Sequence, residues 1–148
     1  MLHFRKMDIE DLQYIYSDDY LKPLLTVDPV GDKFGVLIDE DGIMRGGLTG
    51  YTDGRGAMIQ MIRVPEGPQQ SQLKEGLLRA AIYMLDKDNI NYVFFKGKME
   101  DIFISVGFSI YDKSNISLSE EIGQLITNDL EEQFAFLDVE DFFNQPCG

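Results

Sequence analysis

The stretch from Ala57 to Phe108 limits the fold more than any other part of this chain. It reads as a strand (Ala57–Val64), a bend at Pro65-Glu66-Gly67-Pro68, a helix (Gln69–Asp86), a strand (Tyr92–Lys96) and a short helix (Met99–Val106) stopped by Gly107. In the long helix Leu73, Leu77, Leu78, Ala81, Ile82 and Leu85 share one face at 3.6-residue spacing. At ~1.5 Å per residue it is about 25 Å long, enough to cross a small sheet. Tyr92-Val93-Phe94-Phe95 is rich in strand formers, as expected of a buried strand beside a parallel neighbour. The result is a βαβ unit. Where its first strand feeds the helix, free N–H groups and the positive helix end converge on one spot, an arrangement that suits an anion such as phosphate.

The residues before this unit supply antiparallel strands. Leu2–Lys6 alternates as a first strand, and Asp8 opens a helix with Ile9, Leu12, Ile15 and Tyr16 at helical spacing. Ser17-Asp18-Asp19 interrupts it, and Asp19–Leu25 is expected as a second short helix. Strands Phe34–Ile38 and Ile43–Tyr51 flank the turn Asp39-Glu40-Asp41-Gly42, and Thr52-Asp53-Gly54-Arg55 makes a second hairpin turn. Gly46-Gly47 marks a bulge in the second of these strands. The acidic turn lacks the ligand spacing of a calcium loop and reads as solvated.

After Gly107 the pattern weakens. Phe108–Asp112 and Ser114–Leu118 read as strands, Ser119 starts a helix running to Leu130, and Glu132–Leu137 supplies a last strand. Four of the ten phenylalanines lie from residue 134 onward, so the tail is expected to pack on the body or on a second subunit, making a homodimer. The whole reads as one domain, 1–148, with 112–148 a divergent C-terminal extension.

Net charge and cysteine count narrow the function classes. A formal charge of −13 argues against nucleic acid or an acidic membrane as partner. The charge is uneven: between Arg55 and Lys98 seven basic residues face four acidic ones, net +3, leaving −16 for the remainder. An anionic ligand belongs at that basic island. One His and one Cys give neither a disulfide framework nor a His/Cys metal site, so no metal is expected. Cys147 reads as an incidental thiol, and His3 as a surface or packing residue of the first strand. No apolar run spans a membrane and no signal segment opens the chain, so a soluble cytoplasmic protein is expected.

The order of elements, Val64-Pro65 ending the central strand, Leu77-Leu78 in the helix, and Phe103 followed by Gly107-Phe108 resemble the GNAT superfamily of acyl-CoA-dependent N-acetyltransferases over Leu2 to Tyr111. The resemblance implies an α/β (α+β) fold with a mixed, mostly antiparallel sheet flanked by helices. It also implies transfer of an acetyl or other acyl group from acyl-CoA to a small-molecule or peptide amine. Backbone groups of the strand end, here Ile62 and Val64, would pair with the pantetheine arm. The pattern Gln/Arg-x-x-Gly-x-Gly/Ala that holds the pyrophosphate falls on Gln69, Gln70, Ser71, Gln72, Leu73 and Lys74, with Gln72 and Lys74 in place of small residues. Tyr14, Tyr16 and Tyr20 fall on the acceptor side, and Tyr16 and Tyr20 are taken as substrate contacts. Two catalytic positions depart from the family. No carboxylate lies in Ala57–Val64, and Ile104 stands where a tyrosine acid is usual, so no catalytic residue is assigned. The resemblance therefore leaves two functions open: an acyltransferase, or a catalytically inactive binding or regulatory module. A cleft filled by the chain's own tail is a third arrangement.

Overall fold

Two glycine turns shape the first half of the sheet. Asp41 (φ 54°) and Gly42 (φ 87°) both adopt positive φ, as a tight two-residue hairpin demands, and the Gly42 N–H donates to Asp39 Oδ1 at 2.8 Å. Gly54 (φ 60°) closes the next hairpin. The structure, a computed structural model, describes residues 1–25, 32–95, 100–111 and 134–144. Its strands are β1 (Leu2–Lys6), β2 (Asp32–Glu40), β3 (Ile43–Asp53), β4 (Gly56–Arg63), β5 (Tyr92–Phe95), β6 (Ser109–Tyr111) and β7 (Phe134–Asp138). They form one sheet in the order β1-β2-β3-β4-β5-β7-β6. Among the described strands only β4 and β5 pair in parallel; the other pairs are antiparallel.

Helix α1 (Leu12–Ser17), preceded by a 3-10 turn at Ile9–Asp11 and followed by another at Lys22–Leu25, covers one face of the sheet. There Ile15, Leu21 and Leu24 pack on Leu37, with Met7, Met44 and Met61 around them. The opposite face carries α2 (Gln70–Lys87) and α3 (Asp101–Val106). The α2 stripe is buried at Leu77, Leu78, Ala81, Ile82 and Leu85, with Leu73 partly so, against Val36, Ile38, Leu48, Ala57, Ile59 and Val93. Its four Leu and Ile side chains contribute about 1.5–3 kcal/mol each by burial, which anchors α2 and so fixes where its first turn points. Gly76 lets the Phe4 ring sit against α2; a Cβ there would fall 2.1 Å from the ring.

The expected elements appear with ends shifted by one or two residues, since fraying and caps rather than pattern decide the last turn. The long helix runs Gln70–Lys87, β5 is described over Tyr92–Phe95 and α3 over Asp101–Val106, while the expected ends at Lys96 and Met99 lie outside the described residues. The second short helix is a 3-10 turn of four residues. The bulge expected near Gly46-Gly47 is present: Ile38 pairs with Gly46 and Asp39 with Met44, leaving Arg45 as the extra residue. The expected strand Ser114–Leu118 and the helix from Ser119 lie outside the described residues. The last strand is Phe134–Asp138, inserted between β5 and β6. The tail forms a helix, α4 (Val139–Asn144), that packs on the body: Phe142 is buried, and its ring meets Tyr83 of α2 edge-on at 6.1 Å and lies under Arg79.

Candidate functional site

The end of β4 is irregular for a reason found in β3. Thr49 pairs with Met61 and Gly50 with Ile59, so Gln60 is an extra residue bulging from β4. Gly50 permits it: a Cβ there would lie 2.0 Å from the Met58 carbonyl oxygen, so the two backbones approach more closely than any side chain allows. On the other edge, the described pairing of β4 with β5 ends at Ile59 opposite Phe95. Beyond the bulge β4 presents two faces. Ile62 and Val64 turn to the α2 face, whereas Met61 packs on the α1 side. Arg63 lies opposite Gly47, whose added Cβ would meet Leu24 and Leu37, so Arg63 also belongs to the α1 side.

From Val64 the chain turns through Pro65–Gln69 into α2. Gly67 sits at φ 143° with open space around it. The Gln70 N–H donates to Gly67 O (3.2 Å) and the Leu73 N–H to Gln69 O (3.0 Å). Ser71 and Gln72 are then the first-turn amides without an intrahelical acceptor, at the positive end of an 18-residue helix. A cavity of about 280 Å³ lies against this loop and is lined by Gln69, Gln70 and Leu73, with Arg45 from the β3 bulge and Glu40 facing them. Arg45 and Glu40 are 3.9 Å apart, a loose pair that leaves the guanidinium open to another anion. Sequence reasoning missed Arg45, although the Gly46-Gly47 bulge signal lay beside it.

The six residues carried by the pyrophosphate pattern therefore separate. Gln69 and Gln70 line the cavity, while Ser71 and Gln72 are exposed at the helix start. Lys74 faces another way: its Nζ donates to both carboxylate oxygens of Glu100, at 3.1 and 3.2 Å. Glu100 is the residue just before α3, so an ion pair bridges the starts of α2 and α3.

On the opposite face, Tyr16 is 65% exposed and lines an apolar cavity of about 790 Å³ with Ile9, Leu12, Leu25, Phe34 and Thr49. Lys22 lies over its ring at 4.6 Å. Tyr20 is engaged at both ends: its hydroxyl donates to the Val64 carbonyl, and Arg63 lies over its ring at 5.2 Å. Tyr14 is exposed and lines none of these cavities. Thr49 Oγ1 donates to Leu24 O at 2.7 Å and holds the second 3-10 turn on the sheet. The first is held by Arg5, which donates to both Asp11 oxygens at 2.8 Å and to Asp39 at 3.0 Å, while the Asp8 N–H donates to Asp11. Hydrogen bonds from Arg5 hold the Asp11 carboxyl below the usual carboxylate range, against the opposing effect of burial. Ile104 is 59% exposed on α3. Among the described residues no three His, Cys, Asp or Glu converge as a metal site, and no helix is long and apolar enough to cross a membrane.

No protein-family profile matches the sequence, and no curated protein matches it. Solved structures do. Tetrahymena GCN5 superposes with a TM-score of 0.64 at 16% identity, covering 93% of this chain and 96% of its own. The ribosomal-protein-S18-alanine N-acetyltransferase of Escherichia coli gives 0.61 at 14%, covering 100% and 97%. The PaiA N-acetyltransferase of Thermoplasma acidophilum, in complex with coenzyme A, gives 0.60 at 12%, covering 93% and 99%. This chain has the GNAT fold. The seven-stranded, mostly antiparallel sheet with helices on both faces agrees with the sequence-based expectation.

Proposed function

We propose that this chain transfers an acetyl or other acyl group from an acyl-CoA thioester to a small-molecule or peptide amine. The observation that carries the reading is the junction of β4 and α2. A strand bulged at Gln60 runs straight into an 18-residue helix whose Ser71 and Gln72 amides are unspent, in a chain with the GNAT fold. These donors fit a phosphate, and Arg45 and Gln69 line the cavity against the loop that leads into the helix. Ile62 and Val64 would offer main-chain partners to the pantetheine arm, and Gln69, Gln70, Ser71 and Gln72 would surround the pyrophosphate, which Lys74 would reach only by leaving Glu100. Tyr16 is assigned to the acceptor side, with Tyr20 as support there.

The transfer needs little from side chains. The neutral amine nitrogen attacks the thioester carbonyl, the C–N bond forms, the C–S bond breaks, and CoA leaves as its thiol after taking up the proton the nitrogen gives to solvent. Holding the two reactants in register supplies most of the acceleration, which suits a strand end without Asp or Glu. A cytoplasmic location and a homodimer joined through the exposed Phe143–Tyr83 face complete the reading, with residues 112–148 as an extension of a single domain. The test is acetyl transfer from acetyl-CoA to a panel of amines, followed by thiol release. Turnover supports the proposal, and its absence across the panel refutes it.

A second reading, a GNAT-fold binding module without turnover, is favoured by Ile104 in the tyrosine position and by Lys74 committed to Glu100. Binding of acetyl-CoA with no thiol release would select it.

A further inference from the structure

We propose that Arg63 receives a carboxylate of the amine acceptor, so that the acceptor is an amino acid or a related amine bearing an acid group. The inference rests on the acyltransferase reading above and adds the substrate class. Three partly buried arginines are described, Arg5, Arg63 and Arg79. Arg5 is paired with Asp11 and Asp39, and Arg79 with Glu75. Arg63 has no carboxylate within 4.0 Å among the described residues, and its Nε is buried without a hydrogen-bond partner. That is unusual in a chain with 26 acidic and 13 basic residues, where an opposite charge is easily supplied. A guanidinium keeps its charge whatever its surroundings, and its fork matches a carboxylate.

Its surroundings hold it ready. The group lies 5.2 Å over the Tyr20 ring, and that ring is tethered through its hydroxyl to Val64 O, one residue further along the same strand. Gly47 opposite Arg63 adds no side chain to this face. The face matters for the choice of ligand. Ile62 and Val64 turn toward α2, whose first turn serves the donor phosphate, whereas Arg63 and Met61 turn toward α1. Arg63 follows the Gln60 bulge by three residues, so an acid held there keeps its amine close to the bulged strand. Tyr20 is a positioning residue in this arrangement.

The experiment compares twenty L-amino acids, each against its amide, as acceptors for acetyl-CoA, with wild type, Arg63→Gln, Arg63→Lys and Tyr20→Phe. Melting temperatures establish that each variant is folded. The preferred amino acid is expected to show a KM at least about tenfold below that of its amide in wild type. Arg63→Gln removes that ratio by raising the acid's KM toward that of the amide, with acetyl-CoA affinity unchanged; Arg63→Lys keeps part of it, and Tyr20→Phe reduces it. Equal KM for acid and amide in wild type overturns the proposal. So does loss of acetyl-CoA affinity in Arg63→Gln, which would make the bound group the donor's phosphate. If wild type acetylates nothing in the panel, the acyltransferase reading falls. The Arg63 site is then decided by calorimetry with the same amino acids, and absence of binding sensitive to Arg63→Gln overturns it as well.

Discussion

Replacing Gly50 by alanine should damage the candidate site at its origin. The added Cβ would lie 2.0 Å from Met58 O, 2.9 Å from its carbonyl carbon and 3.0 Å from Ile59 Cα. All three are backbone atoms, so no change of rotamer relieves the overlap, and β3 and β4 must separate. Overpacking of this kind costs about 1–3 kcal/mol. Weakening the Gly50–Ile59 ladder pair adds about 1 kcal/mol. A total near 2–4 kcal/mol lowers the melting temperature by roughly 6–12 °C in a chain of this length. Differential scanning calorimetry reads this directly. Because the separation falls next to the Gln60 bulge, acetyl-CoA affinity should drop along with stability. A Gly50→Ala protein melting within about 2 °C of wild type would refute the claim that close backbone approach creates the bulge.

Other consequences follow from the same contacts. Phe103→Ala removes a fully buried ring 4.3 Å from Phe95 and 5.4 Å from Phe108, and should cost about 3–5 kcal/mol in chemical denaturation. Asp11 has its carboxyl held below the ordinary carboxylate value in the folded state, chiefly by Arg5, so its contribution is complete above the unfolded value and is lost as pH falls through the lower folded one. Asp11→Asn should therefore lower stability at pH 7 by about 1–3 kcal/mol and flatten the acid limb of the stability curve below pH 4; an unchanged acid limb would count against the Arg5 network. Glu100→Gln should change stability by less than about 1 kcal/mol, since the pair is partly exposed, yet tighten acetyl-CoA several-fold by freeing Lys74 for phosphate. Calorimetric titration of the variant checks this, and unchanged affinity would leave Lys74 outside the phosphate site.

Much of the frame was readable from local pattern. The six-residue stripe of α2 declared its buried face, and Asp41-Gly42 declared its hairpin through the positive φ that few other residues tolerate. Strand β1 was bounded correctly because Leu2 and Phe4 alternate with His3 and Arg5. The Gln60 bulge was not readable: an extra residue is defined by register against β3, and Gln60 itself carries no mark of it. Nor was the Lys74–Glu100 bridge, which joins residues 26 apart that only the packing of α3 against α2 brings together. Arg45 was missed because it is distant in sequence from the loop it faces. The tail reads as aromatic, and aromatic content fits a strand as well as a helix; Phe142 meeting Tyr83 and Arg79 decides for α4. Tyr20 has its hydroxyl spent on Val64 and its ring beneath Arg63, contacts between residues about 44 apart in the chain that no local pattern announces.

The most direct measurement is isothermal titration of the full chain with acetyl-CoA and with CoA. Saturable one-to-one binding of both is expected, and at 100 times Kd a stabilisation of about 2.7 kcal/mol, read as a rise of roughly 8 °C in melting temperature. No heat and no melting shift at millimolar ligand would contradict it.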